Sequence, residues 1–327
     1  MNYFSILNLL FSQMEYPEKV AEENLTVMVE FILLGFSDLP NLQGFLFGIF
    51  LIIYMSILIG NGLIIVITKV DLTLQTPMYF FLGNFSFLEI CYTSVTLPRM
   101  LTNLWTQNRA ISLMACAIQL SFFLILGVSE TFLLAAMAYD RYVAICKPLY
   151  YPIIMNHKVC VQLVVGSWIT GIPGQLLQTY KVISLPFCFN ELNHVFCDVP
   201  PLLKLACGDT TVQESFVYAA AVLFGMVPFL IILGFYVKII ITILKLPLVT
   251  GRGKAFSTCS SHLIVVGLFY GSGIITYLIP KSSQSGIEKV LSLFYTIVTP
   301  MFNPVIYSLK NKDVTAAFKK LLFKILA

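Results

Sequence analysis

Charged side chains are scarce in this chain of 327 residues. Asp, Glu, Lys and Arg make up 11% of the sequence, whereas hydrophobic residues make up 58% and the mean hydropathy is +0.88. An ordinary soluble domain carries about 25% charged residues and could not bury so much apolar side chain. The composition therefore excludes a soluble fold and indicates an integral membrane protein.

Motifs of several functional classes are missing as well. No run of Lys and Arg is dense enough to bind nucleic acid. The His-Glu-x-x-His, Gly-x-Ser-x-Gly and phosphate-loop patterns are absent, and none of the three histidines stands beside a nucleophile, which argues against an enzyme. The first fifteen residues lack the basic start and the small-x-small cleavage site of a signal peptide.

A conducting or light-driven protein is also poorly supported. Basic residues are absent from the middle of the apolar segments, and no repeat suggests the inverted halves of a transporter. The last apolar segment has no lysine near Ile297 that could form the Schiff base of a light-driven rhodopsin. A transporter or channel is kept only as the alternative from another class.

The sequence is rich in long apolar segments. A membrane-spanning helix needs ~20 mainly apolar residues, and seven segments meet that requirement. We therefore predict an all-α membrane protein with an extracellular segment at 1–41, a seven-transmembrane helix bundle at 42–310 and a cytoplasmic amphipathic helix at 311–327. The predicted spans are 42–68, 77–101, 113–146, 158–178, 212–244, 254–279 and 287–309.

The basic residues set the orientation of these spans. With the N-terminus outside, thirteen of the 20 Lys and Arg residues lie on the cytoplasmic side and seven lie outside, in line with the positive-inside rule. Asn24, followed by Leu25 and Thr26, is then an external glycosylation acceptor. Beyond Asn311, lysines separate apolar residues at helical spacing, which predicts a short helix on the inner membrane surface in contact with lipids. These apolar residues are Val314, Phe318, Leu321, Leu322 and Ile325.

Three motifs give the chain a resemblance to a known family. Met137–Cys146 reads MAYDRYVAIC, 254–262 reads KAFSTCSSH, and Asn303–Tyr307 reads NPVIY. An Asp-Arg pair at the end of a span is by itself equally consistent with a snorkelling arginine and its counter-ion. Together, however, the motifs resemble odorant (olfactory) receptors of the land-vertebrate, class II type, a branch of the rhodopsin-like G-protein-coupled receptors. The chain departs from the family pattern at Gln75, Phe235 and Lys310.

The resemblance implies a receptor that works by shifting between conformations. A small volatile odorant would favour an outward position of the sixth span, which frees Arg141 from Asp140 to engage a heterotrimeric G protein of the stimulatory, olfactory type and raises cyclic AMP. The same fold sensing a metabolite outside the olfactory epithelium is the alternative. The implied location is the cell membrane, in cilia of olfactory sensory neurons. The residues implied in coupling and activation are Asp140, Arg141, Tyr142, Tyr236, Asn303, Pro304 and Tyr307.

Four of the eight cysteines fall on the predicted outer side: Cys116, Cys188, Cys197 and Cys207. Four cysteines in an oxidising compartment allow three pairings of two disulfides. A zinc site built from Cys188, His194 and Cys197 is a competing interpretation, although its spacing fits no common zinc motif. The family resemblance implies the pairs Cys116 with Cys197 and Cys188 with Cys207.

Two acidic residues, Glu89 and Glu130, lie about halfway along their predicted spans. An ionised carboxylate in the bilayer is costly unless it is paired or protonated. The resemblance implies that the two side chains face each other, flanked by Asn61, Ser129 and Asn303. They form either a protonated structural pair or a sodium or proton site that stabilises the resting state. The family usually has Asp at the position of Glu89, and the extra methylene of Glu89 alters the geometry of such a site. Apart from this possible sodium ion, no cofactor is expected.

The resemblance also places a ligand site between the outer halves of spans three, five and six. Counting helical turns from Asp140, from Tyr236 and from the Phe269–Gly271 element brings a mainly apolar and aromatic set of residues to that level. Burying a cation there without a partner would cost several kcal/mol, so we expect a neutral, mostly apolar ligand. The predicted lining residues are Phe123, Leu124, Gly127, Val128, Ala220, Phe224, Tyr270, Ile274 and Tyr277.

Overall fold

A computed structural model of the chain describes residues 30–245, 251–278, 289, 292–310 and 314–320, and it describes the backbone alone at 251–258, 274–278, 295 and 307–310. The glycosylation acceptor Asn24 lies outside these described residues. The predicted all-α bundle of seven membrane helices is confirmed. Its helices are α1 (Gln43–Val70), α2 (Pro77–Thr106), α3 (Leu113–Cys146), α4 (His157–Ile183), α5 (Thr211–Lys245), α6 (Gly251–Leu278) and α7 (Thr299–Lys310).

Long apolar runs make these segments helical, because a helix satisfies every backbone polar group within the hydrocarbon layer. Within the described ranges, α1 to α5 are each long and apolar enough to cross a membrane, and a shorter apolar helix covers Thr296–Ile306. Residues 314–320 form α8, which buries Val314 and Ala317. Lys320 of α8 donates a hydrogen bond at 3.3 Å to Asp71 in the loop between α1 and α2. The rest of the predicted tail helix lies outside the described residues.

Three membrane helices depart from regular α-geometry. α4 is interrupted at Gly171, and its second part, Ile172–Ile183, begins with a proline near its N-terminus, where a missing N–H costs little. α5 contains the π-helical segment Ala221–Met226, and the π-helical segment Phe294–Val298 leads into α7. A π-helical turn interrupts the regular α-helical hydrogen bonds, so a backbone carbonyl there can accept a hydrogen bond from another helix. In α5, the carbonyl of Phe224 accepts a hydrogen bond at 2.9 Å from the hydroxyl of Thr131 on α3.

A small sheet, which we did not predict, covers the outer end of the bundle. Its central strand β1 (Glu30–Leu33) pairs antiparallel with β2 (Ala110–Ser112) and parallel with β3 (Glu191–Leu192). Beyond β1, Gly35 has φ = +51°, a conformation that suits glycine. Its carbonyl accepts a hydrogen bond at 2.9 Å from Lys289. The N-terminal strand is thereby joined to the outer loop between α2 and α3, to the outer loop between α4 and α5, and to Lys289.

The connections contain short helical turns. Single turns of α-helix form at Tyr151–Ile154 and Val199–Leu203, and 3-10 turns form at Pro40–Leu42, Leu72–Leu74 and Pro148–Tyr150. The buried side chains divide into a core within the bundle and a second cluster beneath the outer sheet, where Phe31 packs edge-on against Phe187 at 5.0 Å. The fold thus has a membrane core and a separate outer cap.

Gly171 sets how closely α4 approaches α3. A methyl group placed on its backbone would lie 2.8 Å from Cγ1 and 2.9 Å from Cβ of Val128, closer than packed carbon atoms tolerate. Val128 is β-branched and cannot readily turn away. The contact therefore requires glycine.

We expect the Gly171→Ala substitution to destabilise the protein by about 1–3 kcal/mol, because it overpacks this contact. Gly166→Ala on the same helix is the matched control, since a methyl group at Gly166 meets nothing within 4 Å. Thermal unfolding of the purified protein in detergent measures both variants. A Gly171→Ala protein that melts at or above the wild-type temperature would show that the approach of the two helices is not tight.

Candidate functional site

At the cytoplasmic end of α3, Asp140 holds two partners. Its carboxylate is completely buried, and Oδ2 accepts hydrogen bonds from Arg141, from Nε at 2.9 Å and from the guanidinium end. The other oxygen, Oδ1, accepts a hydrogen bond at 2.8 Å from the hydroxyl of Tyr151. Both carboxylate oxygens are therefore satisfied, and Arg141 is held against its own helix.

Tyr151 was not singled out in the sequence, where it is one of two adjacent tyrosines after a proline. It lies in the connection between α3 and α4, eleven residues beyond Asp140. Burial, followed by the negative charge of Asp140, raises the pKa of the Tyr151 hydroxyl above its usual range. The hydroxyl therefore stays protonated at physiological pH, and its bond to Asp140 is lost only when the pH rises through that raised pKa.

The inner ends of α5 and α6 are joined by a second polar contact. The hydroxyl of Tyr236 and Nδ1 of His262 are hydrogen-bonded at 2.7 Å, and both side chains are buried. His262 belongs to the motif at 254–262, and its side chain is completely buried. The ring of Tyr142 stacks on Phe235 at 5.3 Å, which gives the unusual phenylalanine at that position a packing role.

Near its inner half, α7 packs closely against α1. Pro304 lies inside the helix, and a methyl group placed on Gly60 would lie 3.2 Å from Cβ of Pro304. Asn61, next to that glycine, donates hydrogen bonds to the carbonyls of Ile57 at 3.0 Å and Pro300 at 3.4 Å. The side chain of Tyr307 lies outside the described residues.

In the middle of the bundle, the two acidic residues meet. Glu89 and Glu130 are buried to 0% and 2% exposure, and their carboxyl groups lie close to each other. Glu89 also accepts a hydrogen bond from the side-chain amide of Asn303 on α7. The hydroxyl of Ser129, the neighbour of Glu130 in the chain, donates a hydrogen bond to the carbonyl of Ile125 at 2.9 Å. The pair therefore joins α2, α3 and α7.

Several buried oxygens of the acid pair and of polar residues on α1 and α7 have no hydrogen-bond partner among the described residues. Oxygen ligands are those that hard cations prefer, so the donor chemistry fits a sodium ion. The described residues contain no cluster of three or more His, Cys, Asp or Glu side chains that could hold a metal. The unpartnered atoms are Oε2 of Glu89, Oε1 of Glu130, Oδ1 of Asn61, Oδ1 of Asn303 and Oγ1 of Thr299.

On the outer side, two disulfides pin the long loop between α4 and α5. Cys116 at the start of α3 is bonded to Cys197, and Cys188 is bonded to Cys207, with Cα atoms 5.6 and 5.3 Å apart. This is the pairing that the family resemblance implies. Because these sulfurs are bonded to each other, the alternative zinc site is excluded in this structure.

Two of the predicted ligand-lining residues on α3 face α2. The ring of Phe123 stacks on Tyr92 at 5.2 Å, and a methyl group placed on Gly127 would lie 4.0 Å from the same tyrosine. Leu124, on the next position of the helix, is half-buried. This side of the predicted site therefore lies between α2 and α3.

Two other predicted lining residues face α4, which corrects their assignment. Val128 packs against Gly171, and a methyl group on Gly174 would lie 3.0 Å from the ring of Phe224. For Val128, counting helical turns gives the level of the residue in the membrane but not the neighbouring helix that it faces. Phe224 lies in the π-helical segment of α5, where counting from Tyr236 at 3.6 residues per turn fails. Ala220, just before that segment, is half-buried.

On α6, Tyr270 is buried against Phe229 at 4.8 Å and Phe269 at 5.2 Å. Its hydroxyl has no partner among the described residues and lies near Glu130. The side chains of Ile274 and Tyr277 lie outside the described residues. The Tyr270 hydroxyl is therefore a group of the predicted ligand site that a neutral ligand could hydrogen-bond, and it lies close to the acid pair.

Comparisons with known proteins agree with this geometry. The family model for olfactory receptors matches residues 50–325. Human olfactory receptor 10AG1 is 58% identical over 300 residues, covering 91% of this chain and all of the relative, and human olfactory receptor 10A7 is 54% identical over 91% of this chain and 95% of the relative. The crystal structure of squid rhodopsin matches with a TM-score of 0.68 over 86% of this chain and 85% of that chain, at 19% identity, which shows a shared fold.

Removing the Tyr151 hydroxyl should destabilise the inner end of the bundle. We expect Tyr151→Phe to lower the free energy of unfolding by about 1–2 kcal/mol, because a buried carboxylate loses one of its hydrogen bonds. Tyr150→Phe is the control, since Tyr150 is 61% exposed. Equal melting temperatures for the two variants in detergent would refute this role of Tyr151.

Proposed function

This chain belongs to the olfactory receptor family of G-protein-coupled receptors, and we propose that it binds a small, neutral, mostly apolar odorant and activates a heterotrimeric G protein of the stimulatory, olfactory type. Activation then raises cyclic AMP. As a member of this family it is a multi-pass membrane receptor rather than an enzyme. The class of ligand, the type of G protein and the second messenger are what we propose beyond membership of this family.

The observation that carries the proposal is the restrained state of Arg141. In this conformation its guanidinium is bound to Asp140, and Tyr151 occupies the remaining oxygen of that carboxylate. The neighbouring bond between Tyr236 and His262 ties α5 to α6. A ligand that favours a bundle with α6 moved outward breaks the second contact and frees the arginine, so binding shifts a population between two states.

The class of ligand is supported by the chemistry of the residues that surround the predicted site. Phe123, Leu124 and Tyr270 offer apolar surface and one hydroxyl, and Glu89 of the nearby acid pair accepts a hydrogen bond from Asn303. A neutral alcohol, aldehyde, ketone or ester can bury its carbon skeleton here, gaining ~0.8 kcal/mol per methylene. A permanent cation would lose its hydration against these three side chains, none of which carries a charge.

Glu89 and Glu130 belong to the resting state in this proposal. Two ionised carboxylates cannot lie side by side in a site without water, so a shared proton or a bound sodium ion holds them together. Either one stabilises the arrangement of α2, α3 and α7 that the structure has. A purely structural, protonated pair is the alternative interpretation.

The proposed orientation places the N-terminus and both disulfides outside the cell and α8 on the inner leaflet. Lys319 and Lys320 are exposed on α8, where they can contact anionic lipid headgroups. The proposed location is the ciliary membrane of olfactory sensory neurons. Asn24 then lies on the glycosylated side.

The decisive experiment screens the full-length receptor against volatile compounds in cells that report cyclic AMP. We expect neutral agonists, and we expect Arg141→Ala to abolish their response at matched surface expression. Lys69→Ala, which removes an exposed basic residue at the cytoplasmic end of α1, is the control and should respond normally. Normal signalling by Arg141→Ala, or strong activation by a quaternary ammonium compound, would overturn the proposal.

A further inference from the structure

We propose that Phe196, from the outer loop, forms the ceiling of the odorant site and that Gln119 is the positioning residue that sets its depth. The proposal rests on the proposed function, since it assigns a further residue to the same ligand site. Phe196 then limits the length of ligand that the receptor accepts. Neither residue was singled out in the sequence.

Phe196 is unusual among the loop residues because its side chain enters the bundle. With Val195, it belongs to the hydrophobic core of the membrane helices, whereas Leu192, Cys197 and Val199 on either side belong to the outer cluster. Only 2% of Phe196 is exposed. The loop therefore crosses the outer face of the bundle and drives one aromatic ring inward.

The ring of Phe196 ends an aromatic column. Its centroid lies 5.0 Å from that of Phe123, which in turn lies 5.2 Å from that of Tyr92 on α2. From the outer side, His194 packs edge-on against Phe196 at 4.7 Å, and Nδ1 of His194 is hydrogen-bonded to the carbonyl of Phe196 at 2.9 Å. A ligand that contacts Phe123 must therefore lie beside Phe196 or displace it.

Gln119 holds the backbone next to this ring. Its Oε1 accepts a hydrogen bond at 3.0 Å from the backbone N–H of Cys197, and its Nε2 donates one at 2.9 Å to the carbonyl of Val95 on α2. The side chain is 7% exposed, so water does not compete for these bonds. One amide thus connects α2, α3 and the loop.

The disulfide alone does not explain the position of Phe196. The bond between Cys116 and Cys197 tethers the loop to α3 through rotatable side-chain bonds. The bond from the Cys197 N–H to Gln119 instead fixes the peptide group that joins Cys197 to Phe196. The position of that peptide group determines where the side chain of Phe196 begins. Gln119 therefore controls how far the ring of Phe196 extends into the bundle.

The first test measures this positioning without any agonist. In the purified receptor, Gln119→Met should speed amide hydrogen exchange at Cys197 by about five- to tenfold, the effect of losing one ordinary hydrogen bond. Gln119→Glu, which keeps an acceptor for that N–H, should exchange at close to the wild-type rate. Gln162→Met, on the exposed face of α4, is the matched control. An unchanged exchange rate in Gln119→Met would overturn the positioning role.

The second test measures the ceiling with straight-chain aliphatic alcohols and aldehydes of increasing length. Phe196→Leu should move the most potent chain length upward by one or more carbons, and Gln119→Met should move it in the same direction, both at wild-type surface expression. An unchanged profile of potency against length in Phe196→Leu would overturn the ceiling. If the wild-type receptor responds neither to this series nor to the matching ketones and esters, the proposed function fails, while the exchange experiment still decides the role of Gln119.

Discussion

The membrane interior cannot hydrate a polar group, and the arrangement of this bundle depends on that constraint. Glu89 and Glu130 are buried close to each other, and Asn303 donates a hydrogen bond to Glu89 from α7. The buried side-chain amide of Asn61 likewise finds a partner, because it donates a hydrogen bond to the carbonyl of Pro300 on α7. These contacts determine which helices meet at the centre, while the apolar side chains fill the space around them.

The two ends of the bundle are built differently, and the difference suits a receptor. The outer end is held by two disulfides, by a three-stranded sheet and by the hydrogen bond from Lys289 to Gly35. Among the described residues, the inner end is held by hydrogen bonds and by the ion pairs of Arg141 with Asp140 and of Lys320 with Asp71, which can exchange without breaking covalent bonds. A ligand bound beneath the fixed outer cap can therefore be sensed as a change at the inner end. The π-helical turns of α5 and α7 lie between the two.

Much of this was predictable from the sequence. Long apolar runs predicted the helices, intramembrane position marked Glu89 and Glu130 as unusual, and the family resemblance implied that these two acids face each other. The outer sheet was missed because its strands are only two to four residues long and pair segments far apart in the chain. Tyr151 and His262 were missed because only tertiary packing brings them to their partners. Val128 and Phe224 were assigned to the ligand site by counting turns, which fixes the level of a residue but not the rotation of its helix.

The central claim, that paired burial of polar groups organises the bundle, is tested most directly by a double-mutant cycle on the two acids. Thermal unfolding of Glu89→Met, Glu130→Met and the double variant gives the coupling between the sites. We expect the double variant to be less destabilised than the sum of the single variants by at least about 1 kcal/mol, because each single change leaves a buried partner unsatisfied. Effects that add to within about 0.5 kcal/mol would contradict the claim.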